Sequence, residues 1–243
     1  MLTRITQQFG TVFLVTTSIY ATSSIVHLHA ASANPVLLIA ADYCQGRTRD
    51  GQIEGRGTCN FPSGNRYEGD MHQGRRQGQG TFTFSDGTRC TGLFRNDVLN
   101  GKGLCIFPSG NRYEGDFWNG LRQGRGTFTF ANGTRCEGVF QNDQLNGFGV
   151  CSYPSGNRYE GTFQDSKKQG RGAFTLANGI RCEGEFINDG LNSFGICRFP
   201  NGDRYEGGFR EGRQSGRGTY FFADGTRLEG IWNGGRFQQS RAN

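Results

Sequence analysis

The chain is short of the residues that usually fill a layered core: its 243 residues include two Met, two Trp and five Pro. Beyond Ala41 no apolar run is long enough to cross a bilayer as a helix. Histidine is almost absent, with His27 and His29 near the start and His72 alone in the remainder. There is no Cys-x-x-Cys, and no Gly-rich loop ending in Lys-Ser/Thr. Every conspicuous Asp or Glu has counterparts at a fixed spacing, so no nonrepeating constellation stands out that could do acid–base or nucleophilic chemistry. The sequence therefore offers no catalytic residue, no metal site and no cofactor.

What it has instead is 41 Gly and 21 Phe. That combination points to frequent turns, with aromatic rings supplying most of the buried surface. The formal charge is +6, and Arg4 is the one charged residue among the first 33. Such a mild excess sets no partner by itself, and specific nucleic-acid binding is not expected.

Residues 1–33 differ from the rest. Arg4 is followed by an interrupted apolar stretch from Phe9 to Leu28 and then Ala31-Ser32-Ala33. They read as a signal peptide or, if uncleaved, a membrane anchor. Residues 34–43 form a short linker, in which Pro35 to Ala41 (PVLLIAA) supply a second apolar segment.

From Cys44 the chain can be cut every 23 residues, at Tyr67, Cys90, Tyr113, Cys136, Tyr159, Cys182, Tyr205 and Leu228. Eight units and a truncated last one fill residues 44–243. Tyr-led units such as RYEGDFWNGLRQGRGTFTFANGT, from Arg112, alternate with Cys-led units such as RCEGVFQNDQLNGFGVCSYPSGN, from Arg135. Each holds two runs of period-two alternation around a Gly-containing segment, and ends in a turn such as ANGT or PSGN. That is a β-hairpin. Centring the hairpin on its Gly-containing loop sets Tyr113 opposite Phe128, Gly115 opposite Gly126 and Phe117 opposite Gly124. The rings then share one face, while Arg112, Glu114, Asp116, Thr127 and Thr129 take the other. The expected fold is all-β: an elongated, single-layer, twisted antiparallel sheet of repeated hairpins with about seventeen strands.

Tyr113-Glu114-Gly115-Asp116-Phe117 followed by Gly124-Arg125-Gly126 resembles the MORN (membrane occupation and recognition nexus) repeat, and the likeness extends over almost all of residues 44–243. The resemblance implies the same single-layer sheet and a scaffolding, dimerising or membrane-associated role. The chain departs from the family pattern at Gln77, Gln123 and Gln169, where His is frequent, at the Cys-led positions, and at Ser193, which replaces a motif glycine.

The cysteines fall at 44, 90, 136 and 182, and again at 59, 105, 151 and 197. Cys90 occupies the Tyr113 position and Cys105 the Phe128 position, so the register opposes them at a distance a disulfide spans. The expected pairs are Cys44–Cys59, Cys90–Cys105, Cys136–Cys151 and Cys182–Cys197. Disulfides require an oxidising compartment, in keeping with an export signal carried by different residues.

Basic residues gather near the hairpin loops of the Tyr-led units: Arg75, Arg76, Arg122, Arg125, Lys167, Lys168, Arg171, Arg213 and Arg217. A spaced row of this kind suits an extended anionic partner, and solubility or protection of the sheet edge accounts for the same charges without a ligand. Asn96-Asp97, Asn142-Asp143 and Asn188-Asp189 carry too few carboxylates for calcium and read as turns. Glu68, Glu114, Glu160 and Glu206 lie two residues from Arg66, Arg112, Arg158 and Arg204, as a charge-neutralising ladder. Leu104, Val150 and Ile196 replace threonines of the other units on the polar face, through partner contact or plain β-propensity. Taken together, the residues point to a secreted, periplasmic or envelope-associated scaffold. Its partner would be a protein or an anionic membrane or envelope polymer, with homodimerisation as an option. Direct binding of anionic lipid headgroups is the alternative, and an enzyme with a loop-built site the remote one.

Overall fold

Two consecutive residues with positive φ reverse the chain at each hairpin tip: Asn96 (46°) and Asp97 (71°) in a Cys-led unit, Asn119 (48°) and Gly120 (78°) in a Tyr-led one. Asn, Asp and Gly tolerate this conformation, and a two-residue turn of that hand matches the twist of the strands it joins. The computed structural model describes residues 44–238. The expected leader and linker lie outside the described residues.

Two compact units divide the described chain, 44–144 and 145–238. The first contains β1 (Cys44–Arg49), β2 (Gln52–Asn60), β3 (Arg66–His72), β4 (Arg75–Thr83), β5 (Arg89–Arg95), β6 (Val98–Ile106), β7 (Arg112–Trp118), β8 (Leu121–Thr129) and β9 (Arg135–Gln141). The second opens within β10 (Gln144–Ser152) and continues through β11 (Arg158–Gln164), β12 (Lys167–Thr175), β13 (Arg181–Ile187), β14 (Gly190–Arg198), β15 (Arg204–Arg210), β16 (Arg213–Phe221), β17 (Arg227–Asn233) and β18 (Arg236–Gln238). Within each unit every strand pairs antiparallel with the next, as in a meander, and no helix occurs among the described residues. Among the described residues the strands number 18, in line with about seventeen, and the truncated last unit still closes a hairpin of β17 on β18.

The expected register holds from the base of each hairpin to its paired glycines. Tyr113 faces Phe128, Glu114 faces Thr127 and Gly115 faces Gly126. Nearer the tip it does not, since Phe117 faces Arg122 and not Gly124. The two-residue turn closes the hairpin earlier than a centred Gly-rich loop would, and a bulge on β8 absorbs the difference. Gly124 sits in that bulge at φ 99° and faces Phe140 of β9 instead. The Asp116 Oδ2 accepts the Arg125 N–H at 3.0 Å across the bulge, as the Asp70 Oδ2 accepts the Gln79 N–H at 2.9 Å.

The inward face explains why Tyr travels with a glycine pair. Tyr67, Tyr113, Tyr159 and Tyr205 are fully buried. A Cβ at Gly126 would lie 2.3 Å from the Tyr113 Oη, so the ring occupies the space that a side chain would need. Its hydroxyl donates to the Asp116 carbonyl at 3.1 Å, satisfying a bulge acceptor from inside the sheet. Tyr113 packs edge-on against Phe117 and Phe140, with centroids 5.1 and 5.0 Å away. In Cys-led units the buried Leu99, Leu145 and Leu191 fill the equivalent space. At the opposite end of the strands, the Asn65, Asn111 and Asn157 side chains each accept a backbone N–H from the turn after next, at Ser85, Ala131 and Ala177. Asp203 does the same for Ala223.

Candidate functional site

The structure splits the nine basic residues into two groups. Arg76, Arg122 and Lys168 turn inward, because the bulge brings their position opposite Met71, Phe117 and Phe163 on the aromatic face. Arg122 Cζ lies 5.2 Å from the Phe128 ring centroid and 5.6 Å from that of Tyr113. Lys168 is 1% exposed, and its Nζ lies 5.4 to 5.7 Å from the rings of Phe174, Tyr159 and Tyr153. Burial lowers the pKa of both Arg76 and Lys168, opposed by the charges of Asp97 and Asp189. Arg76 and Arg122 are half-buried and Lys168 is fully buried, all three against the rings of the inward face.

Each has its own carboxylate in the next hairpin tip. The Asp143 Oδ1 accepts both the Arg122 N–H, at 2.9 Å, and the Arg122 Nε–H, at 3.0 Å. Asp97 treats Arg76 in the same way, and Asp189 accepts the Lys168 N–H. The Asn-Asp segments thus serve as turns that also neutralise a buried cation. In the last pair of units Gln214 stands at the cation position and Gly235 at the carboxylate position, so both charges vanish together. Gln77, Gln123 and Gln169 also act across units: their side-chain carbonyls accept the N–H of Asn96, Asn142 and Asn188.

Arg75, Arg125, Lys167, Arg171, Arg213 and Arg217 are exposed. The expected Arg–Glu ladder is present on the outer face, with Arg112 Nη2 at 2.6 Å from Glu114 Oε2, Arg204 Nε at 3.1 Å from Glu206 Oε1, and Arg158 bonded to Glu160. Exposed pairs of this kind contribute little to stability. Hydrogen bonds from Arg158 and Arg181 hold the Glu160 carboxyl below the usual carboxylate range.

The structure joins Cys44 to Cys59, Cys90 to Cys105 and Cys182 to Cys197, with Cα atoms 4.0, 4.1 and 4.0 Å apart. Cys136 and Cys151 are also disulfide-bonded, and no free cysteine occurs among the described residues. No group of three or more His, Cys, Asp or Glu among the described residues could hold a metal ion.

Leu104, Val150 and Ile196 are half-buried on the outer face. Sequence reasoning passed over their neighbours Phe148 and Phe194, which are 65% and 60% exposed. Three residues before Cys151 and Cys197, both fall on the face opposite the disulfides, and that offset was the available signal.

The architecture defines a class: a single layer of antiparallel hairpins with a 23-residue period, ring-covered on one face and charged on the other. The MORN repeat signature matches eight consecutive stretches, 44–66, 67–89, 90–112, 113–135, 136–158, 159–181, 182–204 and 205–227, and the chain belongs to the MORN repeat family. No curated protein sequence matches it. Among solved structures it is similar to the TCP10 domain of Danio rerio CPAP, with 13% identity, a TM-score of 0.46 and coverage of 77% of this chain and 88% of that one. It is also similar to the SAS-4 (dCPAP) TCP domain of Drosophila melanogaster in complex with a proline-rich motif of Ana2, with 10% identity, a TM-score of 0.41 and coverage of 72% and 88%.

Proposed function

We propose that the protein is an exported, non-catalytic scaffold that holds a protein or envelope component through many weak contacts along its outer face. The observation that carries this reading is the division between the two faces. Most rings, the disulfides and even three cations face inward, while the outer face presents side chains at strand spacing, about 4.8 Å apart. Several weak contacts at fixed separation give avidity without a deep pocket. The disulfides support a periplasmic or extracellular location, since such bonds persist where thiols are oxidised.

A second reading, direct attachment to anionic lipid headgroups, draws on the exposed Arg75, Arg125, Lys167, Arg171, Arg213 and Arg217. One fractionation tests both. Epitope-tagged full-length protein should leave the cytoplasm, resist thiol alkylation unless reduced, and sediment with envelope material. Retention that survives high salt and lipid extraction supports the scaffold, whereas retention abolished by salt and reproduced on anionic vesicles supports the lipid reading. A cytoplasmic protein with eight alkylated thiols would overturn the export on which both depend.

A further inference from the structure

Across the outer face of the second unit lie four facing pairs in succession: Phe148 with Thr162 on β11, Arg171 on β12 with Glu185 on β13, Phe194 on β14 with Gly208 on β15, and Arg217 on β16 with Ile231 on β17. The hairpin bulges offset each pair from the next, so that Glu185 faces Asn192. In the first unit the positions of Phe148 and Phe194 are held by Arg56 and Lys102, and those of Thr162 and Gly208 by Asp70 and Asp116. Lys102 Nζ lies 2.7 Å from Asp116 Oδ1. Both members of each facing pair have therefore changed together, from basic–acidic to a Phe beside a small residue. A lone apolar substitution on a polar face would leave the facing Asp in place. Here the neighbour shrinks as the ring arrives, and the ring faces stay open to solvent.

Phe148 and Phe194 are four strands apart, about 19 Å, with Arg171 midway and Arg217 two strands further on. Arg171, Glu185 and Arg217 are exposed, and neither guanidinium has an ion-pair partner among the described residues. Because Thr162, Arg171 and Glu185 intervene, the two rings do not join into the contiguous apolar patch that a membrane or a protein core would cover. What these pairs offer is open aromatic faces and free cations alternating on every second strand, about 9.6 Å apart, or roughly twice the rise of one sugar ring in an extended glycan.

We infer that these pairs form a binding strip for a linear acidic polysaccharide laid across the strands, an inference that rests on the scaffold reading above and names its partner class. The rings of Phe148 and Phe194 stack on the C–H faces of two sugars. Arg171 and Arg217 pair with carboxylates between and beyond them, Arg in each case offering two donors to one carboxylate. Glu185 accepts hydrogen bonds from sugar hydroxyls.

The test uses the full chain and a homogeneous oligogalacturonate, with cellohexaose, anionic phospholipid vesicles and single-stranded DNA as comparators, in titration calorimetry. The wild type should bind the oligogalacturonate, and Phe148→Ser/Phe194→Ser should weaken that binding by at least about tenfold. A second variant, Phe148→Lys/Thr162→Asp, copies the pair that Lys102 and Asp116 already form, and should weaken binding while keeping the fold. Arg171→Gln/Arg217→Gln should lose the preference for the acidic over the neutral glycan. No binding of the oligogalacturonate, or binding unchanged in the Phe variants, overturns the proposal, as does Phe-dependent binding to vesicles or DNA in its place. If envelope retention persists in the Phe variants, the strip is wrong and the scaffold reading stands. If the wild type itself is not retained, that reading fails first.

Discussion

The Tyr220 hydroxyl donates a 2.7 Å hydrogen bond to the Asp203 Oδ2, and neither residue occurs at its position in the three preceding Tyr-led units. There Phe82, Phe128 and Phe174 stand with Asn65, Asn111 and Asn157, whose side chains make the same turn-to-turn bond that the Asp203 Oδ1 makes to Ala223. Asp203 is 5% exposed, so its second carboxylate oxygen needs a donor. The tyrosine supplies one, and the Asn201 Nδ2–H supplies a second at 2.9 Å.

Tyr220→Phe should therefore cost about 1.5–3 kcal/mol, because it removes one of the two hydrogen bonds that a buried carboxylate oxygen accepts. Tyr220→Phe combined with Asp203→Asn recreates the Phe–Asn pair of the other units and should recover most of that loss. Denaturant unfolding of both single variants and the double variant measures the coupling, and additive effects would sink the pairing.

Arg122 and Asp143 make the same kind of case. Asp143→Gly removes the acceptor of both an N–H and a largely buried guanidinium, and should destabilise by roughly 2–4 kcal/mol. Adding Arg122→Gln copies Gln214 with Gly235 and should be better tolerated than Asp143→Gly alone. Melting curves that rank the double variant below the single one would show that Arg122 is not held by Asp143.

The hairpins, their alternation and the division of faces were legible because period-two patterning and turn residues encode them locally. The inward cations were not, since a basic residue beside a turn reads as solvated and the bulge that redirects it has no strong local mark. Their signal was nonlocal: Arg76, Arg122 and Lys168 each have an Asp 21 residues on, and Gln214 has Gly235. Phe148 and Phe194 were hidden for another reason. In a chain with 21 Phe, an aromatic residue is taken for core unless its offset from a known inward residue is counted.

Alkaline pH should destabilise the fold. Burial pushes the Tyr67 hydroxyl up to about 12 and raises Tyr113, Tyr159, Tyr205 and Tyr220 as well. In the unfolded chain each ionises near its ordinary value of about 10. The folded state then holds more protons than the unfolded one, so this contribution is complete below about pH 10 and is lost as pH rises through the folded values. Lys168 acts in the opposite sense, because its lowered pKa makes its burial less costly once it is neutral. Five tyrosines should outweigh it. Denaturation midpoints from about pH 8 to 11 should fall steeply above 10, and a flat profile would contradict the buried hydroxyls.

The disulfide in each Cys-led unit and the leucine near its tip form a matched set. Cys90 faces Cys105 as Tyr113 faces Phe128. A Cβ at Gly92 would lie 2.9 Å from the Leu99 Cδ1, whereas at the equivalent Gly115 it would lie 2.6 Å from the Tyr113 Oη. Leucine thus fills the space that a tyrosine ring fills in the alternate units. Replacing both cysteines by Ala should cost about 3 kcal/mol through the freed unfolded chain. Cys90→Tyr/Cys105→Phe copies the Tyr-led pair, yet its ring must enter space that Leu99 occupies, so with Leu99 intact it should be less stable than the Ala pair. Adding Leu99→Gln, the residue found at 214, should restore it. If the Tyr–Phe variant proves more stable than the Ala pair while Leu99 is present, the two kinds of unit are interchangeable, and their alternation does not arise from packing on the inward face.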